Sequence, residues 1–355
     1  MNILNPSTWK DIFSIAACCF PSPTLNINRR TFRILKLLGE GGFSYVYLVQ
    51  DASTGRQYAL KKIRCPFGTD SLKAAMKEVD MYRMFNHPNI IRVLDTCVVQ
   101  DKDGSKVVYI FMPYFKRGNI QDAINNHLVN KTHYSEREIL RIFRGVCYAV
   151  RALHTYQLPD VPFTSEPEAN EGAPLNTSLN GNGENEDRES GVVPYAHRDV
   201  KPGNILIADD GTPILMDFGS VSRARIEVRT RQEALTQQDL AAEHCTMPYR
   251  APELFDVKTG SKLDEKVDIW SLGCTLYAMA YGQSPFEANM NEQGGSMALA
   301  VLNGQFRFPT SEEEDRYSRD FRALVQSILV TEANNRPDIH QVIERVDQLM
   351  ETLDQ

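Results

Sequence analysis

The chain has 355 residues, 42% of them hydrophobic, and a formal net charge of −7; that length exceeds one average domain, suits a two-lobed globular protein with short extensions, and supports substantial cores. Residues 160–190 hold eight acids and one Arg, so the remainder balances at 38 bases and 38 acids. This even balance offers no basic stripe for nucleic acid and confines the excess acid to one segment.

Asn5-Pro6 reads as an N-cap followed by proline at the first helical position, and Trp9, Ile12, Phe13, Ala16, Ala17 and Phe20 then recur at helical spacing. Cys18-Cys19 closes that apolar face before the breaker Pro21-Ser22-Pro23. Two readings stand: an interfacial helix with S-acylated cysteines, or a helix docked on its own domain. Asp11 and the lack of a small-residue cleavage site argue against a secretory signal. From Phe32 onward FRILKLL, YVYLV and QYALKKI predict strands of an antiparallel lobe, and 71–85 predicts a helix with Leu72, Met76, Val79 and Phe85 toward a core. VVYIFM at 107–112 predicts another strand, and 120–156 reads as mostly helical. The stretch 159–194 combines Pro, Gly, Asn and acid and has almost nothing to bury, which predicts a disordered loop; the alternative is a partner-binding insert. Ile339, Val342, Ile343, Val346, Leu349 and Met350, opened by Pro337, predict a C-terminal helix.

The seven cysteines are scattered and never form a CxxC with a matching pair, so a disulfide framework or zinc site is not expected. No run reaches the roughly 20 apolar residues that span a bilayer.

In order, the chain carries GEGGFSYV at 39–46, YALK ending at Lys61, HRDVKPGN at 197–204, DFG at 217–219 and APE at 251–253. Five such strings in this order resemble the protein-kinase signature set. The resemblance implies an α+β bilobal fold, with a small antiparallel β-rich N-lobe carrying one main helix and a larger, mostly helical C-lobe. It divides the chain into an N-terminal membrane-anchor segment at 1–28, an N-lobe at 29–112 and a C-lobe at 113–350 that contains the 159–194 insert.

Phosphoryl transfer needs the triphosphate of ATP held in line and its charge neutralised, with Mg²⁺ bridging the phosphates. Under the resemblance, Gly39, Gly41 and Gly42 let backbone amides approach phosphates, while Leu38, Val46, Ala59, Met112 and the Phe115 amide hold adenine. Ser44 stands where the third glycine of the usual pattern would be, which stiffens the loop. Lys61 reaches the α- and β-phosphates and Glu78 fixes it by pairing. Asp199 accepts the substrate hydroxyl's proton, Lys201 neutralises the transferring phosphate, and Asn204 and Asp217 supply the hard oxygen ligands that Mg²⁺ prefers. Lys201 after the catalytic Asp favours Ser or Thr acceptors on protein substrates. His197 and Phe218 read as packing residues, Glu253 with Arg336 as a buried ion pair, and Asp268 as a tether for the catalytic-loop backbone.

The flanking words LGEGGFSYVYLV, FNHPNIIRVLD, FKRGN, ALTQQDLAAEHCTMPYRAPELF and DIWSLGCTLYAM resemble the numb-associated kinase family, and within it the branch of myristoylated and palmitoylated serine/threonine kinases. That branch folds part of its activation segment as a helix, for which Thr236 with Asp239 reads as the capping box. Asn2 in place of glycine excludes N-myristoylation and leaves Cys18 and Cys19 as acylation sites, as in fungal members on vacuolar membranes. The expected location is therefore the cytoplasmic face of an internal membrane, vacuole or Golgi, with a cytosolic pool. Autophosphorylation is expected at Thr230, Thr236 or Thr246, where Arg198 can pair with a phosphate. A silent scaffold and a small-molecule kinase are the alternatives; the intact Lys61, Asn204 and Asp217 oppose the first, APE and TMPYR the second. Substrate identity and oligomeric state are not legible.

Overall fold

A computed structural model of the chain describes residues 23–66, 68–101, 104–158, 191–287, 295–310 and 316–353. Two compact units emerge, one comprising residues up to Met76 together with Val93–Tyr114, the other Lys77–Arg92 with Phe115 onward. The proposed amphipathic stretch and Cys18-Cys19 lie outside the described residues, as does 159–190.

The first unit is a six-stranded antiparallel sheet in the order β1-β2-β3-β4-β6-β5, built from β1 (Thr24–Ile27), β2 (Arg30–Gly41), β3 (Ser44–Asp51), β4 (Gln57–Cys65), β5 (Asp95–Gln100) and β6 (Lys106–Pro113). Because side chains alternate across a strand, register assigns each residue a face. Val49, Leu60 and Phe111 fall on one, where they join Phe32, Ile27, Val107 and Tyr109 in a core. Phe32 lies 4.8 Å from Phe111, and Tyr58 meets both rings edge-on. Val46, Ala59, Lys61, Ile110 and Met112 share the other face, since Val46 pairs with Lys61, Lys61 with Ile110 and Ala59 with Met112. Strands β1 and β5 were not anticipated; β1 has four residues, too few to show a period. Helix α1 (Gly68–Met84) is divided between the units at Met76, with Val79 fully buried and Leu72 and Met76 only half-buried.

The second unit is mostly helical: α2 (Ile120–Asn130), α3 (Glu136–His154), α4 (Arg231–His244), α5 (Lys266–Tyr281), α6 (Met297–Leu302), α7 (Arg319–Ile328) and α8 (Ile339–Leu353). Helix α5 is buried continuously from Val267 to Met279, as expected of a helix that is apolar all round and central to its unit. Its Gly273 lets α7 approach: a Cβ there would meet the Leu329 and Ile328 side chains at 2.7 and 2.9 Å. A reciprocal Asp338–Gln341 cap opens α8, one residue after Pro337.

Two expectations are corrected. Residues 191–194 are not a loose tail of the insert. Val193 N donates to Tyr156 O at 2.8 Å and Leu158 N to Gly191 O at 3.2 Å, so the chain leaving α3 and the chain returning at 191 are zipped together. Secondly, the capping box of α4 is Thr230 with Glu233, not Thr236 with Asp239. Both follow the same spacing rule, but the residues from Arg231 are good helix formers with nothing to break them, so the helix starts at the earlier cap. Thr236 lies inside it, donating to Gln232 O.

Candidate active site

The HRDVKPGN loop of the second unit is anchored from behind by a buried carboxylate. Asp268 on α5 accepts from His197 N and Arg198 N, both at 2.7 Å, and from His154 Nε2 at 3.0 Å. Burial works against that charge, but the hydrogen bond and charge of His154, the charge of His197 and the Arg198 amide outweigh it and hold the carboxyl below its ordinary value. Arg198 adopts the left-handed conformation (φ 68°), a disfavoured state for a residue with a Cβ that the two amide contacts to Asp268 pin in place.

This anchoring presents Asp199, which is 8% exposed. Lys201 Nζ donates to Asp199 Oδ2 at 2.7 Å, and Asn204 Nδ2 donates to the same oxygen at 3.0 Å and to Asp199 O at 2.8 Å. A third partner was not anticipated in this role. The Thr246 hydroxyl donates to Asp199 Oδ1 at 2.6 Å and accepts from Lys201 Nζ at 2.6 Å, while Thr246 N donates to Asp199 Oδ1 at 3.0 Å. A carboxylate that accepts from one hydroxyl beside an ammonium group has the geometry to accept a proton from another. Next to Thr246, burial pushes the Cys245 thiol up to about 12, against the pull of Arg198.

Asp217 also sits in the left-handed region (φ 66°, ψ 78°), at the entry of the 3₁₀ turn Phe218–Ser220. Phe218 is buried, edge-on to His197 at 5.4 Å and stacked on Tyr82 of α1 at 5.1 Å. Ser220 Oγ donates to His197 O at 2.6 Å, tying the two loops together. Glu78, one turn before Tyr82, is 8% exposed, and a Cβ on Gly219 would lie 3.5 Å from its Oε2 and 3.7 Å from Asp217 Oδ1. Among the described residues no three His, Cys, Asp or Glu side chains group as a metal site. Asn204 and Asp217 fit Mg²⁺ by chemistry: Asn204 commits its nitrogen to Asp199, which leaves its oxygen as a hard donor, and Mg²⁺ takes only one or two protein oxygens when phosphates and water supply the rest.

In the first unit, Gly41 pairs with Ser44, so Gly42-Phe43 is a two-residue hairpin turn between β2 and β3. None of Gly39, Gly41 and Gly42 has a positive φ, so their value lies in space. A Cβ on Gly39 or Gly42 would meet nothing within 4 Å, leaving the backbone open to approach, whereas at Gly41 it would meet Ser44 Oγ at 3.1 Å. Lys61 (9% exposed), Ala59, Met112 and Val46 share one face of the sheet, and Leu38 is partly exposed at the irregular stretch of β2. Phe115 begins the longer stretch of the second unit, and its carbonyl accepts from Gly118 N.

Downstream, Arg336 is fully buried and grips Glu253 with both terminal nitrogens, at 2.9 and 3.1 Å.

The protein kinase domain model matches residues 32–158 and 192–346, leaving out the stretch before residue 32, the acidic insert and the last nine residues. The chain belongs to the protein kinase family. Similar proteins include serine/threonine-protein kinase ppk13 of Schizosaccharomyces pombe, 41% identical over 92% of this chain and 93% of that one. Serine/threonine-protein kinase ENV7 of Saccharomyces cerevisiae is 35% identical over 96% of this chain and 98% of its own. Human serine/threonine-protein kinase 16 is 36% identical over 94% and 95% respectively. The β-sheet unit and the helical unit have the α+β character expected of the kinase lobes. No described helix is long and apolar enough to cross a membrane.

Proposed function

We propose that this kinase transfers the γ-phosphoryl group of ATP to Ser or Thr hydroxyls of protein substrates, with Mg²⁺ as the metal. The observation that carries the reading is the convergence of Lys201, Asn204 and a hydroxyl on the Asp199 carboxylate. Asp199 accepts the acceptor's proton, at the oxygen that now receives the Thr246 hydroxyl, and Asn204 keeps that carboxylate from rotating. Lys201 places positive charge beside the transferring phosphoryl group, whose equatorial oxygens carry the transition-state charge. Asn204 and Asp217 hold the metal, which when bound neutralises phosphate charge. The Gly39–Gly42 hairpin leaves room for the phosphates, Lys61, fixed by Glu78, pairs with them, and Leu38, Val46, Ala59, Met112 and the Phe115 amide hold adenine.

The finer assignment is to the numb-associated family and its lipid-anchored branch, supported by the motif words, the helical segment α4 and the similarity to ENV7 and kinase 16. Cys18 and Cys19, S-acylated, tether the chain to the cytoplasmic face of an internal membrane. Two acyl chains are needed because one gives only marginal binding. Autophosphorylation falls within 220–249; Thr230 is exposed at the N-cap of α4, whereas Thr246 is engaged with Asp199.

Purified protein with Mg²⁺, labelled ATP and a generic protein substrate tests the activity. Incorporation above that of Asp199→Ala is expected. Equal incorporation by both, or label passing only to a small hydroxyl compound, overturns it. For the tether, Cys18→Ser with Cys19→Ser is expected to move the protein to the soluble fraction, and unchanged fractionation refutes acylation as the anchor.

A further inference from the structure

The peptide joining Asp217 to Phe218 carries the Phe218 amide, and rotation about ψ of Asp217 swings that amide and the carboxylate-bearing Cα relative to each other. Asp217 is held left-handed (φ 66°, ψ 78°), so something must fix this peptide against relaxation to an ordinary conformation. The Phe218 amide donates to Tyr82 Oη at 3.3 Å, in a place where Tyr82 is 4% and Phe218 1% exposed. Water is therefore a poor substitute for this acceptor. The Tyr82 ring stacks on the Phe218 ring at 5.1 Å and 28°, while His197 meets it edge-on and Phe85 packs at 6.0 Å. Ring contacts thus fix the Phe218 side chain, and the hydroxyl fixes its backbone. Tyr82 lies four residues after Glu78 on α1, so one stripe of that helix touches the turn at the Phe218 amide and beside Gly219.

We propose that Tyr82 is a positioning residue: its hydroxyl accepts the Phe218 amide and thereby holds Asp217 in the left-handed conformation that presents its carboxylate to Mg²⁺. A leucine or methionine at this position would leave the amide without an acceptor. The inference rests on the reading of Asp217 as a metal ligand.

Tyr82→Phe keeps the ring and its burial and removes the hydroxyl, and with it the acceptor of the Phe218 amide. Amide hydrogen exchange is expected to show protection at Phe218 falling about tenfold, the factor that losing one buried hydrogen bond corresponds to, with Met216 and Ile205 unchanged. The Mg²⁺ concentration giving half of the thermal stabilisation that Mg²⁺ adds to ATP should rise by a similar factor. Stabilisation by ATP in EDTA should stay at the wild-type value, and an effect through folding alone would move both. Tyr82→Leu, which also removes the ring, should match or exceed both changes. Unaltered Phe218 protection, or altered protection with an unaltered Mg²⁺ requirement, overturns the proposal. Failure of the metal reading looks different: wild type itself would gain no stabilisation from Mg²⁺, and Tyr82 would then have nothing to position.

Discussion

Replacing Arg336 by Met removes a cation whose five N–H groups are all used. Nε donates to Val330 O at 2.9 Å, Nη1 to Glu253 Oε1 and Lys266 O at 2.9 and 2.6 Å, and Nη2 to Glu253 Oε2 and Thr331 O, both at 3.1 Å. The guanidinium also lies 5.2 Å from the Trp270 ring centroid. Removing one partner of a buried ion pair costs about 3–5 kcal/mol. Glu253, with a side chain 20% exposed, can recover some hydration, which places this pair near the lower bound. The abandoned carbonyls and lost ring contact add about 2 kcal/mol together. Arg336→Met should therefore destabilise by about 5 kcal/mol. With an unfolding entropy of about 2.1 cal/mol/K per residue, that lowers Tm by about 10 °C for a unit of this size. Glu253→Gln keeps a hydrogen-bonding group but leaves the buried cation without its counter-charge, and should cost about half as much. Combining Arg336→Met with Glu253→Gln should cost less than the two single effects together, because no charge is then left unpaired. Thermal melts of the four proteins check this. A single Arg336→Met variant melting within about 1 °C of wild type, or a double variant melting at the sum of the two single effects, would refute the reasoning.

Thr230→Ala should destabilise α4 by about 1 kcal/mol through loss of its cap, seen as faster hydrogen exchange over 231–235, while Thr236→Ala should leave those amides unchanged. Against the cost of burial, chiefly the hydrogen bond and charge of His154 hold the Asp268 carboxyl lower in the folded chain than the ordinary aspartate value. The stability it contributes is thus present above that value and lost as pH falls below it toward the folded pKa. Urea titrations between pH 3 and 7 should show a shallower acid limb for Asp268→Asn than for wild type, and equal slopes would count against the assignment.

Sequence alone determined the chemistry and the local elements, because both are written in short spans. The strands at 44–51, 57–65 and 106–113 follow from periodicity, and HRDVKPGN supplies acid, amine and amide (Asp199, Lys201 and Asn204) within a few residues of one another. Local rules also predicted a cap for α4 but placed it at Thr236 instead of Thr230, since both positions satisfy the same spacing. What tertiary structure decided is which distant atoms meet. Thr246 reaches Asp199 from 47 residues away, and Tyr82 reaches the Phe218 amide across 136. A hydroxyl has no signature in sequence that distinguishes a surface threonine from one held on a carboxylate. Likewise, a tyrosine on the inner stripe of a helix reads as core until its oxygen is found against an amide. Those contacts arise only once burial has excluded water and left each polar group to find its partner within the fold.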